Sequence, residues 1–313
     1  MTCYYPLQAF KSPFPNSVTG KAVIYFKSSD YRDETIYIPC GQCVGCRLER
    51  SRQWAMRCLH EASLHDRNCF ITLTFDDNNL PDDKSLDVRH FQLFMKKLRK
   101  KFGNGIRYYH CGEYGEMFRR PHYHACLFGF DFKDKYFWKY SSSGDGKSIP
   151  LYRSSDLERL WTFGYSSIGD VTFESAAYVA RYIMKKINGD MAFDHYIDKE
   201  TGAMLKPEYT TMSRRPGIAF NWFKKFSSDV YPHDFTYIRD RKVRPPKYYD
   251  RCYELVYPSD FKKIKQKRHE DALVRNVREF GEIHPDIRVV KRRLAVKEAC
   301  LKASIKSLVR NVE

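Results

Sequence analysis

The chain has 313 residues, 42% of them hydrophobic, enough apolar material for a packed core and too much for a disordered chain. Its formal net charge of +17, accompanied by 23 Tyr and 22 Phe, points to nucleic acid as partner, because Lys and Arg neutralise phosphates and aromatic rings stack on bases. The start, MTCYYPLQAF, has no basic stretch followed by an apolar one, and no apolar run approaches the roughly 18 residues a membrane span needs. The expectation is a cytosolic protein with no membrane partner, whose ten cysteines are thiols or metal ligands rather than disulfides.

Residues 1–45 read as irregular, with Pro6, Pro13, Pro15 and Gly20, followed by two short alternating runs at 22–26 and 35–38 that fit a β-hairpin. Next comes Pro39-Cys40-Gly41-Gln42-Cys43-Val44-Gly45-Cys46, a C-x2-C-x2-C loop that can turn several thiolates onto one ion. A structural Zn²⁺ site takes four ligands. Cys3 completes the set if the N-terminus folds back, His60 is the alternative, and thiols that bind no metal are the competing reading. Residues 46–66 form an amphipathic helix with Leu48, Trp54, Met56, Leu59 and Leu64 at apolar positions. Its Arg47, Arg50, Arg52 and Arg57 suit either a path along DNA or a solvated face over a sheet.

Residues 69–75 are β-branched and aromatic and end at Asp76-Asp77-Asn78-Asn79, as a central strand and its turn would. A helix over 87–102 buries Val88, Phe91, Phe94, Met95 and Leu98 and ends at Gly103 and Gly105. Strands at 106–113 and 122–130 flank a Gly- and charge-rich link and are expected to pair antiparallel. The polar, aromatic, Ser/Gly-rich stretch 131–150 reads as a mobile surface loop. A short helix at 154–161, a strand at 164–173 and a helix at 174–187 follow. Ser213-Arg214-Arg215-Pro216-Gly217 is a basic turn before a helix at 218–226. Residues 236–313 carry a net charge of about +10 and are expected to be helical, with 262–268 and 291–293 as the densest basic runs.

Two constellations carry chemistry. In Arg119-Arg120-Pro121-His122-Tyr123-His124-Ala125 the strand alternation puts His122 and His124 on one face, a seat for a divalent metal. Carboxylates are the natural complement for Mg²⁺ or Mn²⁺. Glu113 continues the alternating series Tyr109, Cys111, Glu113 and is preferred over Glu116, which falls in the turn. Ordinary strand histidines are the competing reading. In the 174–187 helix, Tyr178 and Tyr182 are four residues apart and share a face. A phenol ionises near pH 10, so a nucleophilic tyrosine needs a metal or a nearby cation. Lys186 shares the face of Tyr182 and can supply that charge; a core-facing aromatic stripe with a surface lysine is the alternative.

The order FITLTFDD (70–77), RPHYHA (120–125) and YVARYIMKK (178–186) resembles the three motifs of rolling-circle replication initiators, the HUH (His-hydrophobe-His) endonucleases of the two-tyrosine branch. PCGQCVGCRLERSRQWA (39–55), GEYGEMFRRPHYHACLFG (112–129) and MSRRPGI (212–218) are similar to the initiators of gokushovirus-type microviruses, so the resemblance covers roughly residues 1–226. It implies an α+β fold: a central antiparallel sheet of about five strands flanked by helices, with a basic, mainly helical C-terminal appendage. The expected organisation is a Cys-rich segment with its basic helix (1–66), an endonuclease core (67–235) and a basic C-terminal region (236–313).

The resemblance implies that His122, His124 and an acidic residue in the place of Glu113 bind Mg²⁺ or Mn²⁺. Tyr178 or Tyr182 then nicks one strand at the viral origin of the double-stranded replicative form. The nick leaves a 5′-phosphotyrosine and a 3′-OH that primes a host DNA polymerase, assisted by a host helicase, in the bacterial cytoplasm. The second tyrosine re-cleaves after one circuit, and the displaced strand is joined into a single-stranded circle. Single-stranded and origin DNA are the partners, with Arg119, Arg120, Arg214 and Arg215 as candidate contacts. The alternatives are a non-enzymatic zinc-containing nucleic-acid-binding protein, a relaxase or transposase of the same chemistry, and a hydrolase acting through metal-activated water.

Overall fold

The computed structural model describes residues 3–18, 20, 22–27, 34–115, 119–142, 148–181, 191–198, 202–238, 240–283 and 286–309. In chain order the first elements are β1 (Leu7–Pro15), β2 (Ala22–Tyr25), β3 (Glu34–Ile38), α1 (Val44–Ala62), β4 (Asn68–Phe75), α2 (Val88–Phe102), β5 (Arg107–Tyr114) and β6 (Pro121–Phe128). Then come β7 (Tyr136–Ser142), β8 (Ser148–Arg153), α3 (Ser155–Leu160), β9 (Gly164–Gly169), α4 (Phe173–Arg181), α5 (Met191–Tyr196) and β10 (Tyr209–Met212). The last are α6 (Phe220–Val230), β11 (Thr236–Ile238), β12 (Arg241–Val243), α7 (Lys247–Val256), α8 (Pro258–Phe280) and α9 (Ile287–Val309). No helix among the described residues is long and apolar enough to cross a membrane. The chain forms two compact units, one of Met1–Glu49 with Ala272–Val309 and one built on Arg50–Asp271.

The first unit holds a three-stranded antiparallel sheet in the order β2-β1-β3. The runs expected to pair as a hairpin each pair with β1 instead: Ile24 with Lys11 on one side, Glu34 with Lys11 and Ile38 with Leu7 on the other. Pro13 and Pro15 disguise β1 in the sequence. Pro lacks the donor a ladder needs, and the register with β2 shifts between Lys11 and Pro15, where such residues are tolerated. Tyr5 Oη donates to Glu298 Oε2 at 2.6 Å and ties the N-terminal segment to α9.

The second unit is organised by an open seven-stranded antiparallel sheet, β10-β5-β6-β4-β9-β8-β7. The count exceeds the expected five because the 131–150 stretch contributes a strand pair, β7 and β8, and because the four-residue edge strand β10 is too short to announce itself. Along β4 buried and half-buried residues alternate strictly, so each face takes a different set of side chains. One face carries Cys69, Ile71, Leu73, Phe75, Tyr123, Ala125 and Leu127 and packs on Phe91, Phe94, Met95 and Leu98 of α2. Burying each such large apolar side chain contributes roughly 1.5–3 kcal/mol. α2 starts where Asp87 accepts a hydrogen bond from the Arg89 N–H, and Arg99, Lys100 and Lys101 lie in its last turn, where cations favour the helix dipole.

The opposite face carries Tyr109, Cys111, Cys126 and Phe128 against Ala55 and Cys58 of α1, Ala176, Val179 and Ala180 of α4, Phe223 of α6 and Tyr249 of α7. α1 therefore covers the sheet, and part of its basic character is structural. The Arg57 guanidinium lies between the rings of Trp54 and Tyr248, 4.0 and 3.8 Å from their centroids, and donates to Ile218 O. In the basic run 262–268, Arg268 is held by Asp234 and Asp250.

Candidate active site and cysteine cluster

The central strands align the expected site residues in two rows. Across the sheet, Glu113 pairs with His122, His122 with Thr74, and Thr74 with Tyr165. One row further, Cys111 pairs with His124, His124 with Thr72, and Thr72 with Ser167. All of these positions share the α1/α4 face. The link between β5 and β6 is closed by Gly115 N–H donating to Arg120 O at 2.9 Å.

Each histidine is oriented by a threonine one strand away. Thr74 Oγ1 lies 2.9 Å from His122 Nδ1 and Thr72 Oγ1 lies 3.0 Å from His124 Nδ1. With Nδ1 engaged, Nε2 of each ring is the nitrogen left to face the site. His124 Nε2 meets Glu113 Oε1 at 2.7 Å, and both side chains are buried. Tyr178 reaches the same oxygen from α4: its Oη donates to Glu113 Oε1 at 3.4 Å, and its ring stands edge-on to His124 with centroids 5.1 Å apart. Tyr178 is 36% exposed, so it lies where solvent and the buried carboxylate meet. The structure thus brings His122, His124, Glu113 and Tyr178 together.

This donor set fits a divalent cation. It offers two imidazole nitrogens on one sheet face and a carboxylate opposite one of them in register, with each imidazole fixed through its other nitrogen as metal-bound histidines are. Space is made by Gly115, where a Cβ atom would stand 2.7 Å from His122 Nε2.

Tyr182, Lys186 and the competitor Glu116 lie outside the described residues. Of the arginines proposed to touch DNA, Arg120 is engaged internally: it donates to Phe75 O at 2.8 Å and pairs with Asp77 in the turn after β4. Arg119 donates to His195 O at 2.7 Å. Arg214 and Arg215 are exposed, in the turn before α6. Sequence reasoning missed Thr72, Thr74 and Gly115. The signal was present for the threonines, which alternate through Phe70-Ile71-Thr72-Leu73-Thr74-Phe75 in phase with the histidines once the two strands are paired.

In the other unit, Cys3, Cys40, Cys43 and Cys46 bring their four Sγ atoms within 4.8 Å of one another. Cys3 is the fourth member. His60 is not, because it stacks on Trp222 at 3.5 Å and bonds Tyr249 Oη through Nδ1 at 2.7 Å. Sγ–Sγ separations are 3.6 Å for Cys3–Cys40 and 4.0 Å for Cys3–Cys43. These are too long for a disulfide and match the edge of about 3.8 Å that a tetrahedron of thiolates has at a Zn–S distance of about 2.3 Å. Backbone N–H groups of Cys40, Cys43 and Tyr4 point at sulfurs of the cluster. Burial pushes the Cys43 thiol up, but N–H donors from Tyr4 and Cys46 and the neighbouring thiols outweigh it and bring it down to about 7. Burial raises Cys3 and Cys46. The cluster could hold a metal such as zinc.

Comparison with known proteins matches residues 68–187, from β4 past α4, to a family model described as replication-associated protein ORF2. The chain is 30% identical over 290 residues to the replication-associated protein VP4 of Bdellovibrio phage phiMH2K, covering 87% of this chain and 84% of that protein. It is also 30% identical over 293 residues to the replication-associated protein ORF2 of Spiroplasma virus 4, covering 87% of each. Over 153 residues it is 35% identical to the replication-associated protein ORF4 of Chlamydia phage 1, covering 48% of this chain and 38% of that protein. No solved structure matches the chain significantly.

Proposed function

The chain belongs to the family of phage replication-associated proteins, and from that premise we propose that it is a metal-dependent DNA endonuclease and strand-joining enzyme that starts rolling-circle replication. What supports this reading is one convergence: Tyr178 Oη lies 3.4 Å from the Glu113 oxygen that also lies 2.7 Å from His124 Nε2. A tyrosine that only packed would have no reason to aim its hydroxyl at a buried carboxylate beside a pair of threonine-anchored imidazoles.

His122, His124 and Glu113 would hold Mg²⁺ or Mn²⁺, which when bound polarises the scissile phosphate and stabilises the charge that develops on it. Glu113 orients the Tyr178 phenol and takes its proton. The phenolate oxygen bonds to phosphorus in line as the P–O3′ bond breaks. The departing oxygen takes a proton from solvent and becomes the 3′-OH that a host polymerase extends behind a host helicase. The 5′ end stays on the protein as a phosphotyrosine, so its phosphodiester energy is kept for rejoining. Tyr182 serves the second cleavage, after which the freed 3′-OH attacks the first linkage and closes the circle; Lys186 neutralises phosphate charge. Exposed Arg214 and Arg215 contact the DNA backbone. In the same reading Cys3, Cys40, Cys43 and Cys46 hold a structural Zn²⁺, and the protein works in the cytoplasm of a bacterial host.

The test is a covalent-adduct assay. The protein is incubated with single-stranded oligonucleotides tiling the phage's own genome, with and without Mg²⁺ or Mn²⁺, and run on a denaturing gel. A metal-dependent shifted band whose cross-linked peptide contains Tyr178 or Tyr182 is the expected result. Metal-dependent nicking without an adduct would replace tyrosine by water as nucleophile. Binding without any nicking would leave the non-enzymatic zinc-containing reading, which the cysteine cluster favours.

A further inference from the structure

α4 covers the histidine face over β5 and β6 only partly. Glu113 and His124 are buried, but His122, Thr74, Thr72 and Ser167 retain solvent access, and Tyr165 on β9 is 66% exposed. Tyr165 occupies the row of the metal seat. Its cross-strand partner is Thr74, whose partner on the other side is His122. Neighbouring strands are about 4.8 Å apart, so Tyr165 stands about 10 Å from His122 on the same face. A large aromatic ring standing in solvent at the open side of a phosphate-handling site has no packing role to explain it. Its neighbours Ser166 and Gly164 follow the alternation, with Ser166 buried on the other face. Asp77, in the turn after β4, is paired with Arg120, so its negative charge is offset.

Resting on the reading above, we propose that Tyr165 is the stacking platform for a base of the single strand next to the phosphate held at His122 and His124. The partner is single-stranded DNA, because only an unpaired base can offer its π-face to a ring on an open sheet. The strand then crosses β4 and β9 over the threonine row, with its backbone towards the imidazoles. Tyr165 acts by positioning, since its ring would touch substrate one base away from the reacting phosphorus.

The molecule carries its own control. Tyr140 on β7 is 65% exposed, almost identical to Tyr165. It lies on the opposite face, however. Its ring is 5.0 Å from Phe137, which pairs with Tyr152, which pairs with Ile168 in the α2-side core. The experiment measures binding of a fluorescein-labelled dT oligonucleotide of about 20 nucleotides, by anisotropy and without added Mg²⁺ or Mn²⁺. Tyr165→Ala is expected to weaken binding by about 10- to 100-fold, Tyr165→Phe to bind like the wild type, and Tyr140→Ala to change nothing.

A second readout, quenching of 2-aminopurine walked through the oligonucleotide, should show one quenched position that is lost in Tyr165→Ala and kept in Tyr165→Phe. Wild-type-like binding by Tyr165→Ala, an equal loss in Tyr140→Ala, a Phe variant as weak as the Ala variant, or a wild type that does not bind would each overturn the proposal. The nicking reading is judged separately by the adduct gel on the wild type. Loss of binding in Tyr165→Ala with no adduct in any condition would keep the stacking site and remove the enzyme. An adduct with unimpaired Tyr165→Ala binding would do the reverse.

Discussion

On one face of the seven-stranded sheet His110 bonds Thr211 across β5 and β10, through Nδ1 at 2.9 Å. On the other face His122 and His124 bond Thr74 and Thr72 across β6 and β4, also through Nδ1, at 2.9 and 3.0 Å. The cross-strand pair is the same in all three cases, and what differs is the second nitrogen. The His110 ring is fully buried and stacks on Phe91 at 3.5 Å, and its Nε2 has no hydrogen-bond partner among the described residues. Burial holds it well below the ordinary histidine range, so it is neutral and serves as core. His124 Nε2 faces Glu113 and, past it, Tyr178. A histidine bonded to a threonine is therefore no site by itself; the carboxylate and the phenol brought by β5 and α4 make one face chemical and leave the other structural.

The largest effect that tests this contrast comes from the tyrosines. Tyr178→Phe combined with Tyr182→Phe should abolish the adduct, whereas either single change should spare part of it. Full cleavage by the double variant would remove the chemical role from this face. Next come the histidines themselves. His124→Ala should slow adduct formation by more than the roughly 10- to 100-fold that an outer partner of a metal typically costs. His110→Phe should leave the rate of the folded protein unchanged. Equal losses would mean that both histidines act through stability alone.

Acid should separate packing histidines from the rest of the molecule. Burial lowers His60 from 6.5 to about 4, and His110 moves in the same direction. Between those two values the unfolded chain takes up a proton that the folded chain refuses. Stability is therefore complete above pH 6.5 and is lost as the pH falls towards 4. For His60 the difference is worth about 3 kcal/mol at 1.36 kcal/mol per pH unit. Urea midpoints at about pH 7 and about pH 4 should show the drop, and His60→Gln should reduce it. A pH dependence identical in the variant would remove His60 as its source.

The residues that a strand or loop spacing places were legible in the sequence; those that register places were not. Alternation put His122 and His124 on one face, and the series Tyr109, Cys111, Glu113 put the carboxylate on the same one, because both patterns are local to a strand. The thiol spacing of Cys40, Cys43 and Cys46 was equally local, while the choice of Cys3 over His60 depended on a chain reversal that no spacing encodes. Thr72 and Thr74 escaped because their meaning appears only when β4 is set beside β6 without a one-residue slip. The β7–β8 pair was hidden by the Ser/Gly-rich composition between its strands, and β1 by its prolines. The polar face of the fold was thus readable one strand at a time, and its assembly into rows was not.

The smallest predicted effect probes those rows most directly. Valine matches threonine in shape and lacks the hydroxyl, so Thr72→Val and Thr211→Val delete the same hydrogen bond on opposite faces. At Thr72 the hydroxyl can donate to His124 Nδ1 or accept from it. It can therefore support the ring both when Nε2–H bonds Glu113 and when Nε2 must present its lone pair to a cation. Thr72→Val should raise the Mn²⁺ concentration for half-maximal adduct formation by about 10- to 100-fold with little change at saturation. Thr211→Val should leave the Mn²⁺ dependence where it was and lower stability by about 1 kcal/mol, the usual worth of a buried hydrogen bond. If both shift the metal requirement alike, the two faces are coupled through the sheet and the division between them is one of degree. If neither does, His124 is oriented by Glu113 alone, and the threonine row belongs to packing on this face as it does on the other.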